Sequence, residues 1–121
     1  MTTAIVIEDE PDLCIIFRTA LQAAGFDEAK VIDDGMAAMT YLDNYIPDLI
    51  LLDLHLPNVS GAEILHRIRS DERLENIPVI VATADPQMAE ELRDDSDLEL
   101  LKPISFTQLR DLASRLLQRR K

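Results

Sequence analysis

Short apolar runs alternate along this chain with longer stretches whose apolar residues recur every three or four positions. Three of the runs are unbroken: Ala4-Ile5-Val6-Ile7, Leu49-Ile50-Leu51-Leu52 and Val79-Ile80-Val81-Ala82. Such runs predict strands buried on both faces, as in a parallel sheet. Two weaker runs, Ala29 to Ile32 and Leu98 to Leu101, contain Lys30 and Glu99 and read as sheet edges guarded by charge.

The intervening stretches have helical spacing. Pro11 suits a first turn, Leu13, Ile16, Phe17, Ala20, Leu21 and Ala24 form the inward stripe, and Gly25 is placed to end the helix. Asp34-Gly35 turns into a second helix with Ala38, Met39 and Leu42 inward and Met36 and Met39 as core spacers. After the turn Asn58-Val59-Ser60-Gly61, a third helix puts Ile64, Leu65 and Ile68 on one face and His66, Arg67 and Arg69 on others. Ser70 to Asn76 is a charged loop or frayed helix end. Asp85-Pro86 reads as an N-cap and first-turn proline opening a short helix with Met88, Ala89 and Leu92 as its apolar positions. Ser105 and Gln108 form a capping-box pair, Ile104 can staple onto Leu109, and Leu109, Leu112, Ala113 and Leu116 make the last inward stripe.

Five strands alternating with five helices, joined by short connections, imply right-handed crossovers and an α/β sheet covered on both faces. The expectation is a doubly wound, five-stranded parallel sheet of flavodoxin-like order 2-1-3-4-5. Residues 1–121 would make one domain, a length that suits one core.

Four of those strands end in a residue able to do chemistry: Glu8 and Asp9 after the first, Asp53 on the third, Thr83 on the fourth and Lys102 on the fifth. All the ends of a parallel sheet point one way, and a doubly wound order brings strands one and three together at the switch point. Asp53 is therefore expected to leave the core where open α/β sheets hold their ligands. Punctuation before a turn is the simpler reading of one such Asp, but it does not account for the other strand ends.

Charge narrows the function. The formal net charge is −11, which argues against direct nucleic-acid binding. The basic residues Arg115, Arg119, Arg120 and Lys121 most simply complement the C-terminal dipole of the last helix. Cys14 is the one cysteine, read as a small buried hydrophobe, and no internal disulfide can form. There is no basic leader, no secretory apolar stretch and no run of membrane-spanning length, so a cytoplasmic protein away from membranes is expected.

Three acids in one crevice repel one another. Two like charges ~4 Å apart cost roughly 4 kcal/mol at an effective dielectric of 20. A hard divalent cation resolves this, and oxygen-only ligands without a Cys/His cluster favour Mg²⁺, or Mn²⁺, over zinc. A carboxylate beside a metal, a lysine and a hydroxyl is equipped to attack phosphorus and form an aspartyl phosphate.

Glu8-Asp9, Asp53 followed by Pro57 and Gly61, Thr83-Ala84 and Lys102-Pro103, in that order on this frame, resemble the receiver domain of two-component response regulators. The resemblance spans essentially the whole chain. It implies that Asp53 accepts a phosphoryl group from a phosphohistidine on a histidine kinase or histidine phosphotransfer domain. It further implies that Asp9, Asp53 and the His55 backbone carbonyl hold Mg²⁺, with Glu8 acting through water, and that Thr83, Ala84 and Lys102 contact the phosphoryl group. His55 and Asp85 would flank that group and tune its hydrolysis. Pro57, Gly61 and Pro103 would be structural, with a cis Lys102-Pro103 bond. Phosphorylation would shift a two-state equilibrium read on the face of the fourth helix, fifth strand and fifth helix. Such a protein catalyses only its own phosphorylation and dephosphorylation.

The chain also departs from that pattern. Glu99 stands where the family usually has an aromatic, three residues before the lysine, and Tyr41 and Tyr45 lie too far away to substitute. The stretch from Thr83 to Lys102 is shorter than usual by about one helical turn, and Asp95-Ser96-Asp97 replaces a common Gly-Ala pair. The acceptor set is thus intact while the output face is atypical, so signal is expected to leave by a different surface or by phosphoryl relay alone. Asp85 reads equally well as a helix cap. His55 reads most simply as an exposed loop residue that supplies its carbonyl, and His66 as a surface residue. A degenerate receiver that only binds partners is a second reading. An aspartate-nucleophile phosphatase is a third, disfavoured because His55 occupies the place of the second acid. No DNA-binding or catalytic output segment fits this length, so a downstream protein target is expected.

Overall fold

The computed structural model describes residues 1–120; Lys121 and the Arg120 side chain, two of the charges expected to complement the last helix, lie outside the described residues. Ten elements alternate: β1 (Thr3–Ile7), α1 (Pro11–Ala23), β2 (Glu28–Ile32), α2 (Gly35–Asn44), β3 (Leu49–Asp53), α3 (Gly61–Ser70), β4 (Val79–Thr83), α4 (Pro86–Glu91), β5 (Leu98–Leu101) and α5 (Phe106–Arg120). The strands form one parallel sheet in the order β2-β1-β3-β4-β5, as the alternation predicts.

Period-two alternation within the apolar runs divides the core into two layers. Ala4, Val6, Leu49, Leu51, Ile80, Ala82 and Leu100 face α1 and α5, where Phe17, Ala20, Leu21, Leu109, Ala113, Leu116 and Leu117 meet them. Ile5, Ile7, Ile50, Leu52, Val79 and Val81 face the other way, against Ala38 and Leu42 of α2 and Ile64, Leu65 and Ile68 of α3. A strand apolar at every position is what two covered faces require.

Two apolar expectations fail. Ile16 is 40% exposed, because the inward stripe of α1 runs through Cys14, Phe17, Ala20 and Leu21 and leaves Ile16 at its margin. Met36 is 56% exposed on the first turn of α2, while Met39 packs against the core. The predicted ends fare better. Pro11 occupies the start of α1, and Gly25 follows α1 with φ 116°, a conformation open to glycine. Asp85 caps α4 as expected, and Asp34 and Ser60, read only as turn residues, cap α2 and α3 through their side chains. Ser105 Oγ accepts from the Gln108 N–H at 2.9 Å.

α4 is a single short helix of six residues, and it covers the β4–β5 edge thinly. Arg69 compensates from α3. Its guanidinium donates to the carbonyls of Asp95 (2.6 Å), Glu75 and Ile77 (both 2.9 Å) and pairs with Asp97 at 2.9 Å. The same Asp97 oxygen accepts the Val79 N–H at 2.7 Å. This clamp fixes where β4 and β5 begin. Of the segment from Ser70 to Asn76, expected to be loop or frayed helix, Ser70 ends α3 and the rest forms turns that bury Leu74, with Arg73 donating to the Leu42 carbonyl.

Candidate functional site: an acidic cleft at the strand ends

Strand register brings the chemistry together. Ile7 lies opposite Leu52, so Glu8 reaches the level of Asp53. Asp53 lies opposite Ala82, one residue before Thr83, and Thr83 lies opposite Leu101, one residue before Lys102. Backbone bonds carry the pairing past the strand ends: Glu8 N–H to Ile32 O, Leu54 N–H to Ala82 O and Lys102 N–H to Thr83 O. Gly61 makes the close approach of α3 possible. A Cβ there would stand 2.5 Å from both the Asp53 carbonyl oxygen and Leu54 Cα.

The acids do converge, but their setting differs from the expected one. Asp53 has not left the core: it is the last residue of β3 and only 3% exposed, because the α3 entry and the neighbouring strand ends close over it. Glu8 is 1% exposed, whereas Asp9 is open to solvent. One carboxylate oxygen from each of Glu8, Asp9 and Asp53 lies within 4.8 Å of the others. Lys102 bridges the two buried acids, with Nζ 3.0 Å from Glu8 Oε1 and 3.4 Å from Asp53 Oδ1. Glu8 Oε2 accepts the N–H groups of Asp9 and Glu10, and Asp53 Oδ1 accepts the His55 N–H at 3.1 Å. Burial, then the Asp53 carboxylate beside it, pushes the Glu8 carboxyl up to about 7, against the pull of Lys102. Burial works against the Lys102 ammonium as well, but hydrogen bonds and charges from Glu8 and Asp53 outweigh it and hold its pKa above the usual lysine value.

On the fourth strand, the buried Thr83 hydroxyl accepts the Asp85 N–H at 3.0 Å. Asp85 itself caps α4, its Oδ1 accepting from Gln87 and Met88 N–H, so the capping role is real. Ala84 is exposed between them. The Lys102-Pro103 bond is cis. Pro57 lies in the β3–α3 connection, and Asn58 after it has φ 71°. The His55 ring does more than the simple reading allowed: Nε2 lies 3.3 Å from Thr83 Oγ1. The residue was legible in the sequence; this contact was not, because it depends on how the β3–α3 loop folds over β4. Glu99 accepts a hydrogen bond from Ser96 Oγ at 3.2 Å.

The donor set suits a hard divalent cation. Three carboxylate oxygens within 4.8 Å carry more negative charge than one lysine neutralises, and oxygen-only ligation with an open side at Asp9 matches Mg²⁺ or Mn²⁺.

The response regulator receiver domain family matches residues 4–114. The chain belongs to that family. This receiver domain is 36% identical over 119 residues to the phosphate regulon transcriptional regulatory protein PhoB of Rhizobium meliloti, covering 96% of the chain and 52% of that protein. It is 34% identical over 109 residues to the polar-differentiation response regulator DivK of Brucella ovis, covering 87% of the chain and 88% of DivK. The chain thus spans about half the length of PhoB and most of DivK. Among solved structures, the receiver domain of sensor histidine kinase PA1611 from Pseudomonas aeruginosa PAO1 is 25% identical, with a TM-score of 0.85 over 97% of this chain and 98% of that one. That structure holds a magnesium ion in its active-site cleft. Receiver domains are phosphorylated on aspartate in two-component signalling and act as phosphoacceptor switches, and this chain is one of them. No helix among the described residues is long and apolar enough to cross a membrane.

Proposed function

We propose that Asp53 is the phosphoryl acceptor, within a single receiver unit spanning residues 1–121. An oxygen of its carboxylate attacks the phosphorus of a phosphohistidine on a histidine kinase or histidine phosphotransfer domain. The new O–P bond forms as the P–N bond breaks, and the electron pair returns to the imidazole. The observation that carries this reading is that Lys102 reaches the buried Asp53 carboxylate at 3.4 Å. The ammonium is thereby placed to offset charge on the transferring phosphoryl oxygens. Thr83 would donate its hydroxyl to one of those oxygens, and Ala84 would present its backbone to another.

Asp9, Asp53 and the His55 carbonyl would hold Mg²⁺ or Mn²⁺, with Glu8 acting through water. The cation, when bound, supplies positive charge beside the phosphoryl oxygens. Glu8 holds Lys102 at 3.0 Å and so keeps the ammonium at the acceptor. His55 and Asp85 flank the site; Pro57, Gly61 and Pro103 shape the loops around it. The domain catalyses only its own phosphorylation and dephosphorylation, and passes its state to a downstream protein partner without contacting nucleic acid or membrane. Glu99 and the six-residue α4 support an output route other than the usual α4–β5–α5 face.

Incubation with acetyl phosphate and Mg²⁺ tests the assignment. The intact protein should gain the mass of one phosphoryl group, and Asp53→Asn should gain none. Equal labelling of the two proteins would overturn it.

A further inference from the structure

We propose that His55 is a positioning residue that holds the Thr83 hydroxyl in the unphosphorylated domain and must release it when Asp53 is phosphorylated. The proposal rests on the reading of Asp53 as acceptor and adds to it a competition for one proton. Thr83 Oγ1 is buried and already accepts the Asp85 N–H at 3.0 Å. A hydroxyl has a single proton to donate. Its neighbour is His55 Nε2 at 3.3 Å. With the imidazole proton on Nδ1, Nε2 accepts that proton, and the hydroxyl is committed. A phosphoryl oxygen on Asp53 needs the same proton, since it can only accept.

The two anchors are unequal. The Asp85 N–H binds a lone pair of the oxygen and leaves the proton free to turn, whereas His55 takes the proton itself. His55 sits on the β3–α3 loop, two residues after the acceptor, with its backbone N–H bonded to Asp53 Oδ1 at 3.1 Å. One residue therefore touches both the acceptor and the hydroxyl that would sense it. Glu99, on β5, is engaged with Ser96 instead. The partner that restrains Thr83 lies on the loop after the acceptor and not on the fifth strand. Phosphorylation would free the His55 ring, making the β3–α3 loop the first segment to feel the change.

Beryllofluoride, a phosphoryl mimic, tests this with Mg²⁺ present and binding followed by NMR. Wild type, His55→Ala, Thr83→Val and their double variant form the core of the test, with His55→Gln and Asp53→Asn beside them. His55 is exposed, so its replacement leaves the core intact. His55→Ala should bind the mimic roughly three- to ten-fold more tightly than wild type, the gain from not breaking one hydrogen bond. In the Thr83→Val background the same change should have no effect. His55→Gln, whose side-chain carbonyl can accept the proton, should restore part of the wild-type affinity. Imidazole nitrogen shifts should place the His55 proton on Nδ1 before the mimic is added and show Nε2 changing when it binds. Equal affinities for wild type and His55→Ala, an equal gain in the Thr83→Val background, or a proton on Nε2 in the free protein would overturn the proposal. A wild type that, like Asp53→Asn, takes no beryllofluoride would instead bring down the acceptor assignment, and this proposal with it.

Discussion

The two helical layers of this domain are built differently. On one face of the sheet, α1 with 13 residues and α5 with 15 lie over the central strands and bury a continuous cluster. On the other, α2 and α3 cover β1 and β3, but α4 has only six residues to cover β4 and β5. Leu101 is accordingly 49% exposed, and Met88 and Leu92 are half-buried. The β4–β5 edge is held instead by polar means, through Arg69 and Asp97. The strand-end cleft and the β4–β5 edge are thus supported by different physics. Asp53 lies on β3, flanked by β1 and β4 and packed on both faces. The β4–β5 edge depends on a few charged hydrogen bonds.

Truncating the central packing should have the largest effect. Leu51→Ala removes a fully buried side chain facing α1 and α5. Denaturant unfolding should register a loss of about 2–5 kcal/mol. A loss below about 1 kcal/mol would mean that the two faces are alike.

Buried Glu8 should make stability depend on pH in an uncommon direction. The Glu8 carboxyl is raised from 4.5 to about 7 in the fold. Below pH 4.5 it is protonated whether folded or unfolded and costs nothing. As pH rises towards 7 the unfolded chain releases the proton while the folded one keeps it, so the contribution of Glu8 to stability falls. The ceiling on that loss is about 3.5 kcal/mol, at roughly 1.4 kcal/mol per pKa unit. Metal-free wild type should lose stability relative to Glu8→Gln between pH 4.5 and 7, and Mg²⁺ should reduce the difference. Parallel stability curves for the two proteins would remove Glu8 from the electrostatic account.

The smallest effects belong to the thin edge. Arg69→Ala should cost roughly 1–3 kcal/mol, the range for hydrogen bonds to a charged group. Met88→Ala should cost less, since Met88 is already partly in solvent. Hydrogen exchange should quicken at residues 96–101 in Arg69→Ala more than in Met88→Ala. The reverse order would show that packing, not the clamp, holds this edge.

The sequence alone determined the alternation of strands and helices, the parallel order, the caps at Asp85 and Ser105 and the residues gathered at the strand ends. All of these follow from local periodicity and from the rule that parallel strands end on one side. The mistaken apolar assignments, Ile16 and Met36, sit at helix margins, where a 3.6-residue period names a face but neighbouring elements decide how far it is covered. Only the tertiary structure buried Asp53, drew Lys102 onto Glu8 across 94 positions and set the His55 ring against Thr83. Those contacts depend on strand register and loop path, which join residues remote in the chain, and no local pattern encodes the distance between them.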